Sequence, residues 1–345
     1  MTRLLILGGR GFLGAKIARA CARIDGAHVD IASRSTSDDT VTLDLANPEH
    51  FSKIEAYDFV IDCADALKVD PEPAITYCLE HGIIWLETTA EPTLMRRLLT
   101  MDPDPSWTGT LILGAGVFTG YSNMLAAHAA HQIDDPDHAL TLGIRWTPLS
   151  AGGAGMVGLM THLLNVPTSY VEDHQHKHTT TIDRSEPLPF DDGNHRGVHL
   201  AFSEPSMLHH STNAREIRVY ASLIPALAQL AFLYTPAFVL KLRLVQWLMT
   251  IQMTILRRFL LKGVESSLRM VAVAKTKTTT CVSTFYTDDG MAFAADAVAA
   301  KVRCLDQSPP QAGIFTVDQA VSWDALDQTL KSHAESTWRQ KTSSR

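Results

Sequence analysis

Three glycines near the start of the chain have the spacing that most directly indicates chemistry. Gly9, Gly11 and Gly14 follow the apolar run Leu4–Leu7 in the order Gly-x-Gly-x-x-Gly, which is typical of a strand that turns into a helix around a phosphate. In this pattern the first glycine permits a turn with positive φ, the second lets the backbone approach a pyrophosphate, and the third lets the helix pack closely. The spacing predicts a dinucleotide site; the alternative is a glycine-rich turn that binds no ligand.

A helix is predicted immediately after the glycines. Apolar residues recur there at three- and four-residue intervals, at Leu13, Ile17, Cys21 and Ile24. The first N–H groups of such a helix attract anions. Phe12 and Leu13, which open the helix, are therefore predicted to belong to the cofactor site.

The end of the next predicted strand, residues 28–32, distinguishes the two nicotinamide cofactors. NAD-binding proteins place an acidic residue there, about twenty residues past the glycines, to bind the ribose 2′-hydroxyl. This chain has Ser33 followed by Arg34, and a guanidinium suits a 2′-phosphate. The sequence favours NADP(H); the alternative is that Arg34 is solvated and that Asp30 or Asp38 binds the ribose.

Further cofactor contacts are predicted where other apolar stretches end. Asp44 and Leu45 follow a third short stretch, at a position where such proteins often contact adenine. Cys63 and Ala64 end a buried strand that must lie beside the first one, and Thr88 follows the next strand. Because ligands of open parallel sheets bind outside the carboxyl ends of the strands, all five residues are predicted to lie along the cofactor crevice.

The alternation of these strands with helical segments predicts the fold class. The apolar stretches lack the period of two that marks a half-exposed strand, so they fit a parallel sheet covered on both faces. We therefore predict an α/β, Rossmann-type doubly wound sheet in the first part of the chain. At 345 residues the protein is long enough for a second domain.

Composition restricts the class of protein. Hydrophobic residues make up 46% of the chain and charged residues 19%, which is typical of a globular protein. The net charge of −7 argues against nucleic acid as a partner, since phosphate-binding surfaces have a basic excess. The five cysteines include no Cys-x-x-Cys pair, and no apolar signal precedes the first strand. We expect a cytoplasmic protein with reduced thiols.

Two later segments resemble a known family. AITYCLEHGIIWLETTAEP and LILGAGVFTGYSNMLA, together with GGRGFLG, look like the saccharopine dehydrogenase-like (saccharopine reductase) oxidoreductase family. The chain departs from the family pattern at Glu87, where Asp is common, at Ala90 in place of Gly, and at Thr119-Gly120 in place of Pro-Gly. Glu91 matches the pattern.

This resemblance implies a domain organisation and an activity. An NADP-binding Rossmann domain would span residues 1–135, an α+β substrate and dimerisation domain residues 136–290, and a segment that returns to the first domain residues 291–345. The activity would be hydride transfer between NADPH and a C=C, C=N or C=O substrate. Two alternatives stay open: an NADP(H)-sensing regulator without turnover, and a membrane-associated scaffold.

Candidate substrate residues are few, and no catalytic acid can be named. No tyrosine is followed by lysine four residues later, which excludes the short-chain dehydrogenase use of the glycine pattern. Tyr121 and Asn123 follow a predicted strand and could contact cofactor or substrate; the alternative is that this segment caps the next helix. Arg145 could bind a substrate carboxylate, or form a structural ion pair.

A histidine-rich segment raises the question of a metal. His174, His176 and His178 alternate and could present three imidazoles on one face of a strand. An exposed polar strand explains the same pattern without a ligand, so no metal site is predicted.

Residues 219–262 form the most apolar part of the chain and are predicted to be an apolar helical segment of the second domain. Val219–Leu240 contains no charged residue, but Pro225 and Pro236 argue against one membrane-spanning helix. A narrow polar stripe in Lys241–Lys262 then predicts a mostly buried helix. The segment could belong to the core, a homodimer interface or a membrane-surface contact. We predict a homodimer, an apolar and lipid-like substrate, and peripheral membrane contact as candidate partners.

Overall fold

The computed structural model describes residues 1–34, 39–133, 135, 137–146, 159, 162–163, 165–181, 183–223, 247, 251 and 266–344. The chain forms two compact units. Unit 1 comprises Met1–Tyr121 and Met291–Glu335, and unit 2 comprises Ser122–Gly290 and Ser336–Arg345.

Unit 1 contains a parallel sheet of seven strands. The strands are β1 (Thr2–Leu7), β2 (Ala27–Ser33), β3 (Val41–Thr42), β4 (Phe59–Asp62), β5 (Ile84–Glu87), β6 (Thr110–Leu113) and β16 (Gly313–Thr316). Their order in the sheet is β16-β6-β5-β4-β1-β2-β3, so the direction of winding reverses at β1. Leu4, Leu5 and Ile6 are fully buried, as expected for a strand covered on both faces. The predicted Rossmann-type sheet is confirmed.

The helices of unit 1 follow the predicted alternation. They are α1 (Phe12–Cys21), a 3₁₀ helix (Pro48–Ala56), α2 (Glu72–Glu80), α3 (Pro92–Leu99), α6 (Gly290–Gln307), α7 (Val317–Ala320) and α8 (Trp323–His333). All but the first residue of α6 belong to unit 1. The segment that follows residue 290 thus contributes a strand and three helices to the unit that begins the chain.

Unit 2 is built on a mixed sheet of eight strands. The strands on its main path are β7 (Ala139–Trp146), β8 (Thr168–Glu172), β9 (Gln175–Thr179), β13 (Glu216–Leu223), β14 (Leu268–Lys275), β15 (Thr280–Thr287) and β17 (Trp338–Ser344), and β12 (Val198–His199) pairs with β13. Only β7 and β13 run parallel within it. The helices α4 (Ser122–His131) and α5 (Glu204–Ser211) belong to the same unit.

A short hairpin, β10 (Leu188–Phe190) and β11 (Gly193–His195), packs on this sheet. A Cβ atom added to Gly143 would lie 2.7 Å from Leu188 Cδ1 and 2.8 Å from Phe190 Cζ. Close contact between the hairpin and β7 therefore depends on the absence of a side chain at residue 143.

Two sequence-based boundaries differ from the structure. Unit 1 ends at Tyr121 rather than at residue 135, because α4 packs on the sheet of unit 2. The last strand, β17, pairs with β15 and so belongs to unit 2, although residues 291–345 were expected to return to the first domain as a whole.

The apolar segment 219–262 is only partly described. Val219–Leu223 was predicted to begin a helical segment, but it forms the end of β13 and pairs with β7. The physical reason is the alternating burial of residues 216–219, which is the pattern of a strand. Most of residues 224–262 lie outside the described part of the chain. In the described part of the chain, no helix is long and apolar enough to cross a membrane.

Candidate functional site

The turn between β1 and α1 is shaped by glycines that tolerate no side chain. Gly8 has φ +68°, and a Cβ atom added there would lie 2.7 Å from Cys63 O. Gly11 N donates a hydrogen bond to Gly8 O at 2.8 Å, which closes the turn. A Cβ atom on Gly14 would lie only 2.4 Å from Gly8 O, so the predicted close packing of the third glycine is confirmed.

The role predicted for Gly9 is wrong. The residue with positive φ is Gly8, because β1 ends at Leu7 and the chain must turn at the next residue. Gly9 lacks a side chain for a different reason: a Cβ atom there would lie 2.7 Å from Ile31 Cγ2. The glycines that form the turn and the close helix contact are therefore Gly8, Gly11 and Gly14, spaced three residues apart.

A pocket opens at the carboxyl ends of β1, β2, β3 and β4. Six of the predicted cofactor residues line it: Gly11, Ser33, Arg34, Asp44, Leu45 and Ala64. Its other lining residues are Leu7, Gly8, Arg10, Ala32, Leu43, Asp65, Lys68 and Val69. The structure thus brings together residues from four successive segments of the sheet edge, as expected for a ligand crevice in an open parallel sheet.

Three cationic side chains line this pocket. Arg10 comes from the glycine turn, Arg34 follows β2, and Lys68 follows β4. Lys68 Nζ lies 2.8 Å from Asp65 Oδ2, whereas no carboxylate among the described residues forms an ion pair with Arg34. The sequence pointed only to Arg34; Arg10 could have been found by its place inside the glycine motif, and Lys68 carried no local signal.

Asp30 is engaged elsewhere. Tyr57 Oη donates a hydrogen bond to Asp30 Oδ2 at 2.8 Å, and His28 Nε2 lies 3.2 Å from the same oxygen. Asp30 also lies three residues before the end of β2 and does not line the pocket. The alternative in which Asp30 binds a ribose hydroxyl therefore has no support, and Asp38 lies outside the described residues.

The remaining predicted cofactor residues flank the pocket without lining it. Phe12 is 47% exposed, with Lys16 Nζ 5.8 Å from its ring centroid, and Leu13 is half-buried. The main chain of Cys63 packs against Gly8. Thr88 Oγ1 donates a hydrogen bond to Asp62 O at 2.6 Å, which ties the segment after β5 to the end of β4.

A pair of buried carboxyl groups lies at the same sheet edge. Asp62 ends β4 and Glu87 ends β5, and the two residues are directly opposite each other, 4% and 2% exposed. Burial raises the pKa of Asp62 to about 6; burial and the neighbouring Asp62 raise the pKa of Glu87 well above its usual value of 4.5. Both shifts favour the neutral carboxyl form, so the buried pair retains a proton at pH values where exposed carboxyl groups have lost theirs.

This pair is fully bonded to its surroundings. Thr89 N donates to Glu87 Oε1 at 2.9 Å and Trp85 Nε1 donates to Glu87 Oε2 at 3.2 Å. Ala64 N donates to Asp62 Oδ1 at 2.8 Å. The pair therefore fixes the backbone that follows β4 and β5, including Ala64 in the pocket. The sequence drew attention to Glu87 only as a departure from the family pattern, and no local signal drew attention to Asp62.

The three substrate candidates fall in different environments. Tyr121 is 1% exposed, its ring 4.8 Å from Phe293, and burial raises its pKa; this is the setting of a core residue. Arg145 forms ion pairs with Asp192, as the structural alternative predicted. Asn123 is fully buried in unit 2, and its amide nitrogen and oxygen have no hydrogen-bond partner among the described residues. Of the three candidates, Asn123 alone has side-chain polar atoms for which the described residues provide no partner.

The histidine segment does not form one strand face. His174 has φ 59° and lies in the turn before β9, so only His176 and His178 are in the strand. The His176 ring packs edge-on against His209 at 4.7 Å. Within the described ranges, no group of three His, Cys, Asp or Glu side chains could hold a metal ion.

Comparison with known proteins gives a fold. No family model and no curated protein matches the chain, so the saccharopine dehydrogenase-like resemblance stays a prediction. Among solved structures, DAP dehydrogenase of C. glutamicum, in complex with DAP, aligns over 96% of this chain and 98% of its own, with 15% identity and a TM-score of 0.50.

Two further solved structures have slightly lower scores. An engineered D-amino acid dehydrogenase bound to NADP+ has 15% identity over 94% of this chain and 95% of its own, with a TM-score of 0.47. A mutant meso-DAP dehydrogenase from Clostridium tetani E88, with DAP, has 10% identity over 96% and 99%, with a TM-score of 0.48. The similarity to the C. glutamicum enzyme extends over both units, and this chain has the same two-domain α/β dehydrogenase fold.

Proposed function

We propose that the protein is an NADP(H)-dependent oxidoreductase. The observation that carries the proposal is the pocket beside the glycine turn, where Arg10, Arg34 and Lys68 meet at the carboxyl edge of a Rossmann-type sheet. Such a pocket suits the adenosine end of a dinucleotide. Three cations around it suit the additional 2′-phosphate that distinguishes NADP from NAD.

The residues present fit this cofactor. Added Cβ atoms on Gly8 and Gly14 would collide with backbone, so neither residue can carry a side chain between the turn and a bound phosphate. Gly11, the N-cap residue of α1, provides no side-chain cap to the first turn of the helix. Arg34 would hold the 2′-phosphate, while Asp44 and Leu45 would lie beside the adenine.

The nicotinamide ring supplies hydride chemistry when the cofactor is bound. The protein's part would be to hold that ring and to exclude water from it. We propose a small substrate with a C=C, C=N or C=O bond, apolar and lipid-like in character because residues 224–240 contain no charged side chain. Asn123 is the residue we propose as a substrate contact in unit 2.

The test of the cofactor is a comparison of dissociation constants. We expect NADPH to bind more tightly than NADH, and R34S to weaken NADPH by roughly ten- to a hundredfold, the value of one charge-assisted contact. NADH binding should be unchanged in R34S. R19S, which removes an exposed arginine of α1, serves as the matched control. Equal or tighter binding of NADH by the unaltered protein would overturn the NADP(H) assignment.

A regulator that binds NADP(H) without turnover is the second candidate. What favours it is the burial of the acidic groups near the sheet edge: Tyr121 is in the core, and Asp62 and Glu87 are buried and hydrogen-bonded. Steady oxidation of NADPH with an enone, imine or ketone from a broad panel would support the enzyme. Tight binding with no turnover across the panel would support the regulator.

A further inference from the structure

Lys301, on α6, is the most deeply buried cationic side chain of unit 1. It is 0% exposed, and its Nζ donates hydrogen bonds to Ala115 O at 2.7 Å and to Gly116 O at 2.8 Å. Burial lowers its pKa to about 7. A neutral amine keeps two N–H donors, so both carbonyl groups are bonded in either protonation state.

The two acceptors belong to a strained loop, Gly114–Gly120, which we call the β6 loop because it follows β6. Thr119 has φ 56°, a left-handed backbone that β-branched residues avoid, and Gly114 has φ 80°. A Cβ atom on Gly120 would lie 2.4 Å from Gly114 O, so the two ends of the loop touch. Strain of this kind persists only where the surroundings hold the backbone in place.

Two kinds of contact hold the β6 loop. On one side it is bonded to the segment after β5: Ala115 N donates to Glu87 O at 2.7 Å, and Thr119 Oγ1 donates to Thr89 O at 3.0 Å. Lys301, from α6, holds the main chain at two successive carbonyl groups. Within the loop only Phe118 is partly exposed. The loop therefore presents one aromatic residue on a fixed backbone.

The β6 loop lies at the sheet edge that carries the pocket. The pocket occupies the carboxyl ends of β1 to β4, and β5 and β6 continue the same edge at intervals of about 4.8 Å. A dinucleotide with its adenosine in the pocket would extend its nicotinamide toward β5 and β6. We propose that Lys301 is a positioning residue that holds the β6 loop in the shape that receives the nicotinamide half of the cofactor. This inference rests on the proposed function.

Two ligands separate this role from a general effect on stability. NADPH would occupy the whole edge, whereas 2′,5′-ADP, which lacks the nicotinamide half, would occupy only the pocket. In K301M the β6 loop loses both hydrogen bonds from residue 301. If the loop then adopts its binding shape about a tenth of the time, NADPH binding weakens roughly tenfold. Binding of 2′,5′-ADP should change by less than about twofold, since the pocket is untouched.

The controls make each outcome decisive. K331M removes an exposed lysine that pairs with Asp327 and should leave both dissociation constants unchanged. K301R keeps N–H donors on a longer side chain, so it should lose less NADPH affinity than K301M. If K301M does not fold, K301R is compared with the unaltered protein instead. Unchanged NADPH binding, or equal weakening of both ligands, would overturn the positioning role. If the unaltered protein binds neither ligand, the proposed function itself fails.

Discussion

At the scale of single residues, unit 1 keeps three ionisable groups out of water at one sheet edge and bonds each of them. Burial raises the pKa values of Asp62 and Glu87, and Lys301 donates to two carbonyl groups. A buried charge without such partners would shift to its neutral form or destabilise the fold. The three groups therefore shape the backbone at the edge where the cofactor is proposed to bind.

The protonated state of Glu87 predicts a pH dependence of stability. Above pH 4.5 the unfolded chain releases the Glu87 proton, whereas the folded protein retains it because its pKa is raised. The folded state then binds more protons than the unfolded state, so this group makes the free energy of unfolding fall as pH rises from 4.5 toward the folded pKa. The effect is absent below pH 4.5.

The variant E87Q should remove this dependence, because an amide donates to Asp62 without a proton to lose. We expect E87Q to be more stable than the unaltered protein at pH 8.5, by about 1–3 kcal/mol, and close to it at pH 4.5. Urea denaturation at the two pH values measures the difference. E80Q, which alters an exposed glutamate of α2, is the control, and parallel pH profiles for E87Q and the unaltered protein would contradict the retained proton.

At the scale of elements, the β1–α1 junction depends on contact distances more than on backbone angles. Gly14 has no positive φ, yet an added Cβ would meet Gly8 O at 2.4 Å. Gly26, which precedes β2, is the reverse case: its φ is +74°, and an added Cβ would meet nothing within 4 Å. A side chain at residue 14 would therefore cause steric overlap alone, whereas a side chain at residue 26 would only be forced into a left-handed backbone.

G14A should push α1 away from the glycine turn. We expect this variant to lose about 1–3 kcal/mol of stability and most of its NADPH affinity, because overpacking moves backbone in the binding turn. G26A should lose about 1 kcal/mol from backbone strain and keep its NADPH affinity. Thermal unfolding and NADPH titration of both variants test this. Loss of NADPH binding in G26A, or its retention in G14A, would show that the turn is not the binding element.

At the scale of the whole molecule, unit 1 is assembled from two separate stretches of the chain, Met1–Tyr121 and Met291–Glu335. β16 pairs with β6, and α6 supplies Lys301, so residues 291–335 complete a sheet that begins at residue 2. Unit 2 is formed largely by the chain between these two parts. The β6 loop therefore acquires its Lys301 contacts only after residue 301 has been synthesised.

The predicted partners belong to this scale as well. We propose a homodimer that contacts membrane surfaces through residues 224–262, because residues 224–240 contain no charged side chain and need an apolar neighbour. Sedimentation of detergent-free protein should show a dimer, and part of it should float with anionic liposomes. A monodisperse monomer that does not bind liposomes would contradict both proposals.

The sequence by itself determined the features that depend on neighbouring residues. The unbroken apolar run Leu4–Leu7 marked a strand buried on both faces, and the glycines after it marked the turn into α1. Ser33-Arg34 at the end of β2 fell in the pocket as expected. The sequence misplaced the positive φ by one residue, since that angle depends on where β1 ends.

Only the tertiary structure decided which distant residues meet. Asp62 and Glu87 are neighbours because β4 pairs with β5 in one register, which no local pattern fixes. Lys301 lies 186 residues from Ala115 in sequence. It occupies the i, i+4 stripe of Phe293, Ala297 and Leu305, all fully buried, so its helix position already indicated burial. Its two carbonyl partners followed from the strand order, because that order brings α6 to the loop after β6.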